Sequence, residues 1–473
     1  MNLATAEHDE SDNQQRRWPR WLLWGGLLAI LLIAACSASL WIKQYFGVDR
    51  QLAAIRARGE PLTLAELRAC NPPLSREQDA TDLWLDAATA VQAAVRLPVA
   101  SELPVVGKAA LPGLPGSEWP EAGLVRKFLA DNANALQLMH QAAERGGRAR
   151  FTNMVIEAPN SPMPLAVNDE LLRSILSCAR MLRLEAIACA YDRDARGTAD
   201  AIRTGLLLSR ALEAEPMTVT QLVRVATFTI AVEELKRTLP TTDFSDEDLR
   251  ALQQTLGKLE FKSAVKSTLI GNRVEALASF EQLTGSSGGR RLLGSIVHGA
   301  DEETFLEIMA DYIAEADKPW PAVLAAPNDL MRRAAMRRAP LTNLSLPSIQ
   351  MTVMAFARAD TARQLMTISI ALERYRRDFG HPAPNLDALV PAYLAEVPDD
   401  PTSGSPFTYT ASDASYVLYS PSQQFAASEE GLDAETGANP LLLFRWPPRP
   451  AESRATDSEK PEDEADAANA APK

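Results

Sequence analysis

From Trp21 to Ile42 the chain runs for 22 residues, WLLWGGLLAILLIAACSASLWI, without a single charge. As a helix such a run rises about 33 Å, which matches the hydrocarbon layer of a bilayer. No second run of this kind follows, so the sequence predicts a single-pass transmembrane helix at 21–42. Arg16, Arg17 and Arg20 precede it, and Lys43 and Arg50 follow it. Trp18 and Trp21 mark one end and Trp41 the other, as interfacial anchors do. The tight RRWPR cluster predicts a cytoplasmic N-terminus, with the C-terminal body in the periplasm of a bacterial inner membrane. Two other readings stand beside the anchor. A cleaved signal peptide would release the body, and Ile33-Ala34-Ala35-Cys36 resembles a lipobox with Cys36 as the lipidated residue. The apolar run continues through Leu40-Trp41-Ile42, however, as an uncleaved anchor's does.

The net charge of −13 argues against general nucleic-acid binding, because phosphates need a basic surface. Hydrophobic content of 46% is ample for a core. The four cysteines, Cys36, Cys70, Cys178 and Cys189, have neither disulfide-framework nor zinc-ligand spacing, and read as structural thiols. The four histidines, His8, His140, His298 and His381, lie in separate segments without a metal-binding pair.

The chain divides into a cytoplasmic tail (1–20), the membrane helix (21–42) and a helical juxtamembrane region with a Pro-rich connection (43–120). An α-helical domain (121–354), a small α/β domain (355–450) and a disordered acidic tail (451–473) follow. Helix continues from the anchor through Asp49 to Arg58, until Gly59 and Pro61 break it. Thr63 and Glu66 make a capping box for a short helix, and Glu77 to Ala94 is amphipathic. Prolines 98, 104, 112, 115 and 120 make 97–120 irregular. Helices are predicted at 121–144, 165–192, 198–214, 217–238, 246–260, 262–283, 302–316 and 342–378. The helix at 217–238 should be the most buried, with Leu222, Val225, Phe228, Val232 and Leu235 on one face. The hairpin around Asp192–Thr198 is faintly like one tetratricopeptide unit, but no second copy follows at a fixed period.

Beyond Phe356, Leu365, Ile368, Leu372, Tyr375 and Phe379 form one helical stripe. Short strand-forming runs follow at Phe407–Tyr409, Tyr416–Tyr419 and Leu441–Phe444, so a helix laid across a small antiparallel sheet is expected. Several motifs here resemble the globular part of type II secretion major pseudopilins. They are Ala371-Leu372-Glu373-x-Tyr375-x-x-Asp378-x-Gly380, Leu386-x-x-Leu389-Val390-Pro391-x-Tyr393-Leu394 and Val397-Pro398-x-Asp400-Pro401. Gly404-x-Pro406-Phe407-x-Tyr409 and Tyr416-x-Leu418-Tyr419-Ser420 complete the order, over roughly 355–422. The resemblance implies a pseudopilin-like α/β fold. It departs from the family at the anchor, which lacks the processed Gly-Phe and the buried glutamate, and some 310 residues separate anchor and domain. A calcium-binding loop of that family would correspond to Glu429, Glu430, Asp433 and Glu435, without its glycine pattern. The whole also resembles a group of bacterial membrane-anchored proteins with a helical middle and a pseudopilin-like end.

No catalytic constellation emerges. Gly285-Ser286-Ser287-Gly288-Gly289 fits G-x-S-x-G but sits between helices, where a nucleophile elbow needs a strand before it. Ser263-x-x-Lys266 lacks the companion motifs of penicillin-binding enzymes. Asp192-x-Asp194 with Gly197 hints at a calcium loop, yet Arg196 and Arg203 stand where carboxylates belong. Arg332, Arg333, Arg337 and Arg338 form a basic run suited to a solvated face, an acidic partner or lipid head groups. The sequence therefore predicts no catalytic, cofactor-binding or metal-ligating residue, and no small-molecule ligand. It points to a membrane-anchored protein that binds envelope proteins, as a scaffold or as an accessory component of a secretion or pilus-like assembly. A serine hydrolase using Ser263 or Ser287 is the remaining reading.

Overall fold

The computed structural model describes residues 20–70, 73–151, 154–157, 165–284, 288–337, 339–422 and 443–448. The side chains of 20–23, 26, 30, 33–34, 36–46, 283–284 and 288–299 also lie outside this description. So do the tails at 1–19 and 451–473, Ser286, Ser287, Arg338 and the acidic group Glu429, Glu430, Asp433 and Glu435. The protein is mainly helical with a small sheet portion.

Helix α1 (Arg20–Ala57) contains the whole uncharged run and continues without a break into the body. Among the described residues no helix is long and apolar enough to cross a membrane, and most side chains of 21–42 are not among them. The membrane reading therefore stays with the sequence. At its far end α1 packs Ile55 against Leu306 and Leu62, with Val48 and Leu52 alongside. Gly59, in the left-handed region at φ 70°, turns the chain out of the helix. The capping box follows as expected: Thr63 Oγ1 accepts from Glu66 N and starts α2 (Leu64–Ala69).

Two large cores hold the body. The first is built by α3 (Thr81–Val95), α4 (Ala122–Asp131), α5 (Ala133–Glu144) and α6 (Asp169–Tyr191), with Trp84, Val91, Phe128, Met139 and Met181 buried in it. The second is larger. It contains residues of α7 (Ala195–Leu208), α8 (Thr218–Thr238), α9 (Asp246–Gly257) and α10 (Lys262–Thr284). Helices α11 (Gly288–Glu315), α12 (Trp320–Met336) and α13 (Pro340–Phe379) complete its helical part. The same core runs on into the C-terminal sheet through Phe407, Tyr416, Leu418 and Phe444. Residues 121–354 and 355–450 thus share one interior through α13, whose Phe356, Leu365, Ile368, Ile370 and Leu372 are fully buried.

The strands are few and antiparallel. β1 (Val155–Glu157) pairs with β2 (Leu165–Val167). β3 (Asp399–Asp400) pairs with β4 (Ser405–Pro406). β5 (Thr408–Ala411), β6 (Tyr416–Tyr419) and β7 (Leu443–Trp446) form a three-stranded sheet in that order, against α13.

Four expectations need correction. The predicted helix at 121–144 is two helices parted at Asn132, where the backbone leaves helical geometry. Residues 165–167 are strand, and Asn168 caps α6 by accepting from Leu171 N. The expected helices leave 317–341 without one, yet α12 spans Trp320–Met336: Pro321 occupies its first turn, where no N–H is needed, and Pro327 inside it is buried. Leu222 is 40% exposed, whereas α8 turns Thr220, Gln221, Arg224, Thr227 and Glu234 inward. Part of that polar face finds partners, since Gln221 donates to Leu212 O at 2.7 Å and Arg224 to Glu260 O at 2.6 Å, while Thr220 Oγ1 has none among the described residues.

Candidate functional site

Ser263 is exposed in the first turn of α10, and Lys266 is held away by Asp317 at 2.6 Å, so no base serves the hydroxyl. The Asp192–Gly197 turn is a helix cap. Asp194 Oδ1 accepts from Gly197 N at 2.8 Å, Asp192 accepts from Arg126 at 3.0 Å, and Arg196 pairs with Asp200 and Asp248. Among the described residues no group of three or more His, Cys, Asp or Glu side chains is arranged to hold a metal. Of the basic run, Arg332 pairs with Asp329, Arg333 with Asp311 and Arg337 with Glu307. The last two clamp α12 to α11. Cys178 is buried and Cys189 half-buried, but Cys70 is exposed, against the expectation of buried thiols. Burial pushes the Cys178 and Cys189 thiols up to about 12, so neither is a nucleophile near neutrality.

The arrangement closest to catalytic geometry involves residues that sequence reasoning left scattered. His140 on α5 lies between α6 and α7, with Nδ1 2.8 Å from Thr204 Oγ1 and Nε2 3.1 Å from both oxygens of Glu185. Hydroxyl, imidazole and carboxylate follow one another as in a catalytic triad. Burial alone would lower the His140 pKa, but the Glu185 carboxylate more than offsets it and raises the value. Thr204 is fully buried, so no substrate carbonyl reaches its hydroxyl. The cluster joins three helices and offers no accessible nucleophile. No spacing in the sequence signals it, because 64 and 45 residues separate the histidine from its partners.

The motifs at the C-terminal end converge on a second polar centre. Asp400 is fully buried in β3. Its Oδ1 accepts from Thr361 Oγ1 at 3.1 Å, Thr402 N at 3.0 Å and Thr402 Oγ1 at 2.7 Å. Its Oδ2 accepts from Ser403 Oγ at 2.9 Å and Ser420 Oγ at 2.8 Å. Five donors on one carboxylate tie α13, the β3–β4 turn and the end of β6 together. Gly380, at φ 78°, caps α13, and Tyr393 donates to Asp378 at 2.5 Å. Tyr409 donates to Ala383 O at 2.7 Å, which fixes β5 beneath the helix end.

Of three arginines near the end of α13, two bind this unit to the helical part and one packs on its own sheet. Arg374 reaches Asp246 at 2.7 Å and Gln253 at 3.1 Å, both on α9. Arg377 donates to the carbonyls of Thr242 and Phe244, just before α9, and Arg376 lies over the Trp446 ring at 4.6 Å. Both edges of the sheet, β5 and β7, lack a further strand among the described residues, and Thr410 and Ala411 on β5 are exposed. An open edge of this kind can pair with another chain. Compared with known protein families, with curated proteins and with solved structures, the chain matches none.

Proposed function

We propose that this chain is a single-pass envelope protein, anchored in the inner membrane by Trp21–Ile42, whose periplasmic body acts by binding other proteins. The observation that carries the reading is the continuity of α1: one helix includes the uncharged run and ends with Ile55 packed in the body. An anchor joined in this way holds the body at a set distance from the bilayer. The polar clusters within the body staple helices and strands together, which supports a scaffold rather than an enzyme. A fusion reporter at the C-terminus tests the topology, and a cytoplasmic signal would sink the proposal.

A second reading is an accessory component of a type II secretion or type IV pilus-like assembly. It is favoured by the motif order over 355–422, by a long helix lying on a three-stranded sheet, and by a β5 edge that no other described strand covers. Photo-crosslinkers at Thr410 and Ala411 in the anchored protein would capture pseudopilin-like partners if this edge docks. Capture through the helical part alone would leave the general scaffold reading in place. The hydrolase reading keeps no support at Ser263, which faces solvent without a base. The other candidate, Ser287, lies outside the described residues, and alanine substitution there with loss of an activity would be its test.

A further inference from the structure

We propose that the pocket between the segment following α5 and the segment 209–214 following α7 binds a small tetrahedral oxyanion of the phosphate class. This goes beyond the scaffold reading and does not depend on the membrane anchor. The pocket encloses about 130 Å³ and is lined by Arg148, Arg150, Arg210, Glu213, Gln78 and Pro73 among others. That is well below the roughly 300 Å³ from which pockets for drug-sized ligands begin.

The local sequence builds the site in advance. After α5, Gly146 at φ 89° and Gly147 at φ 76° reverse the chain, and a Cβ on Gly147 would collide with the Leu207 carbonyl. In the next residues Ala149 and Phe151 are buried while Arg148 and Arg150 are not, so both guanidinium stems leave on the other side. Four hydrogen bonds fix this backbone. Trp84 Nε1 donates to Gly147 O at 3.0 Å, and Ala80 N to Arg148 O at 2.9 Å. Arg150 N donates to Thr81 Oγ1 at 2.8 Å, and Arg210 Nη1 to Gly146 O at 3.1 Å. The arginines are therefore presented by a pinned segment rather than by a free loop.

Charge in the pocket is unbalanced. Glu213 is engaged by Arg210 Nε at 3.3 Å, which leaves Arg210 Nη2 without a partner among the described residues. Arg148 is half-buried, and its guanidinium has no partner among the described residues. The buried carboxyl of Glu215 lies behind, towards Arg150 and Arg68, and burial pushes it up to about 7. It therefore neutralises the arginines only in part. The buried Arg224 adds to this positive charge, since it and Arg210 repel each other. Guanidinium groups approaching from a loop and from a helix end match the several oxygens of a phosphate better than a planar carboxylate.

The test uses the full-length protein in neutral detergent, titrated with inorganic phosphate against chloride at constant ionic strength near pH 7. Saturable binding by calorimetry and a rise in melting temperature are expected. Arg148→Ala should weaken binding at least tenfold with the phosphate-free melting temperature unchanged, since the side chain holds nothing in place. Arg148→Lys should fall between, and Arg145→Ala, at an exposed neighbour, should bind as wild type. Glycerol 3-phosphate in parallel separates the sources: tighter binding than inorganic phosphate indicates a lipid head group, weaker binding a free ion, and either sustains the site. A phosphate effect no larger than that of chloride overturns the proposal, as does undiminished binding by Arg148→Ala.

Discussion

Arg273 on α10 and Glu60, just beyond α1, form an ion pair at 2.5 Å across 213 positions of the chain, with the arginine side chain fully buried. Arg273 also donates to Pro61 O at 3.2 Å. This contact closes the corner through which α1 enters the body, next to the small core of Ile55, Leu62 and Leu306.

The pair is asymmetric, because Glu60 keeps Arg58 at 2.8 Å and some solvent while Arg273 has no second carboxylate among the described residues. Glu60→Gln should therefore cost about 3–5 kcal/mol by leaving a buried cation uncompensated. Arg273→Met should cost less, about 1–2 kcal/mol, because the remaining carboxylate is still paired. Equal losses in chemical denaturation would contradict this account. Burial raises the Glu60 pKa, but Arg58 and Arg273 together hold it below its ordinary 4.5. Its contribution to stability is complete above that value and is lost as the pH falls through the folded-state pKa.

His140 has the opposite dependence. Its folded-state pKa lies above the ordinary 6.5, so the native state holds the proton more tightly than the unfolded chain. The His140–Glu185 contribution is complete below pH 6.5 and disappears as the pH rises through the folded value. Melting temperatures between pH 5.5 and 8.5 should show this loss in the wild type and a flattened profile in Glu185→Gln. A profile unchanged by the substitution would show that the pair carries no proton linkage.

Asp400→Ala removes the acceptor that Thr361, Thr402, Ser403 and Ser420 share and takes a partner from three buried hydroxyls, Thr361, Thr402 and Ser420. A loss of about 3 kcal/mol is expected. Amide exchange should quicken in β3–β6 before it does in α5 or α6. Uniform acceleration across the protein would mean that this centre is not a local clasp.

Removing residues 355–450 should not yield a folded helical remainder. The truncation discards Phe356, Leu365, Met366, Ile368, Ile370 and Leu372, all fully buried, each contributing about 1.5–3 kcal/mol. A protein ending at residue 354 should lose cooperative melting and become protease-sensitive. Cooperative unfolding of that fragment would show that the second core divides at Phe356. Partner mapping is therefore better done with single substitutions on the β5 edge than with this deletion.

The sequence by itself determined what depends on neighbours within a few residues. The charge-free run, the capping box at Thr63–Glu66, the irregular 97–120 segment and the strands around Tyr409 and Tyr416 were all legible. Each is set by local backbone chemistry or by a short hydrophobic period. Tertiary structure decided the rest. Helix α12 stands because Pro327 is buried against neighbouring helices, which outweighs its cost as a breaker. Helix α8 shows solvent a leucine and buries an arginine, because Glu260 O, beyond the helix, accepts from that arginine alongside Gln221 of α8 itself. The His140–Glu185–Thr204 cluster, the Asp400 clasp and the Arg148–Arg210 pocket assemble from residues far apart in sequence. No periodicity encodes such meetings, since they depend on where whole helices cross rather than on the spacing within any one of them.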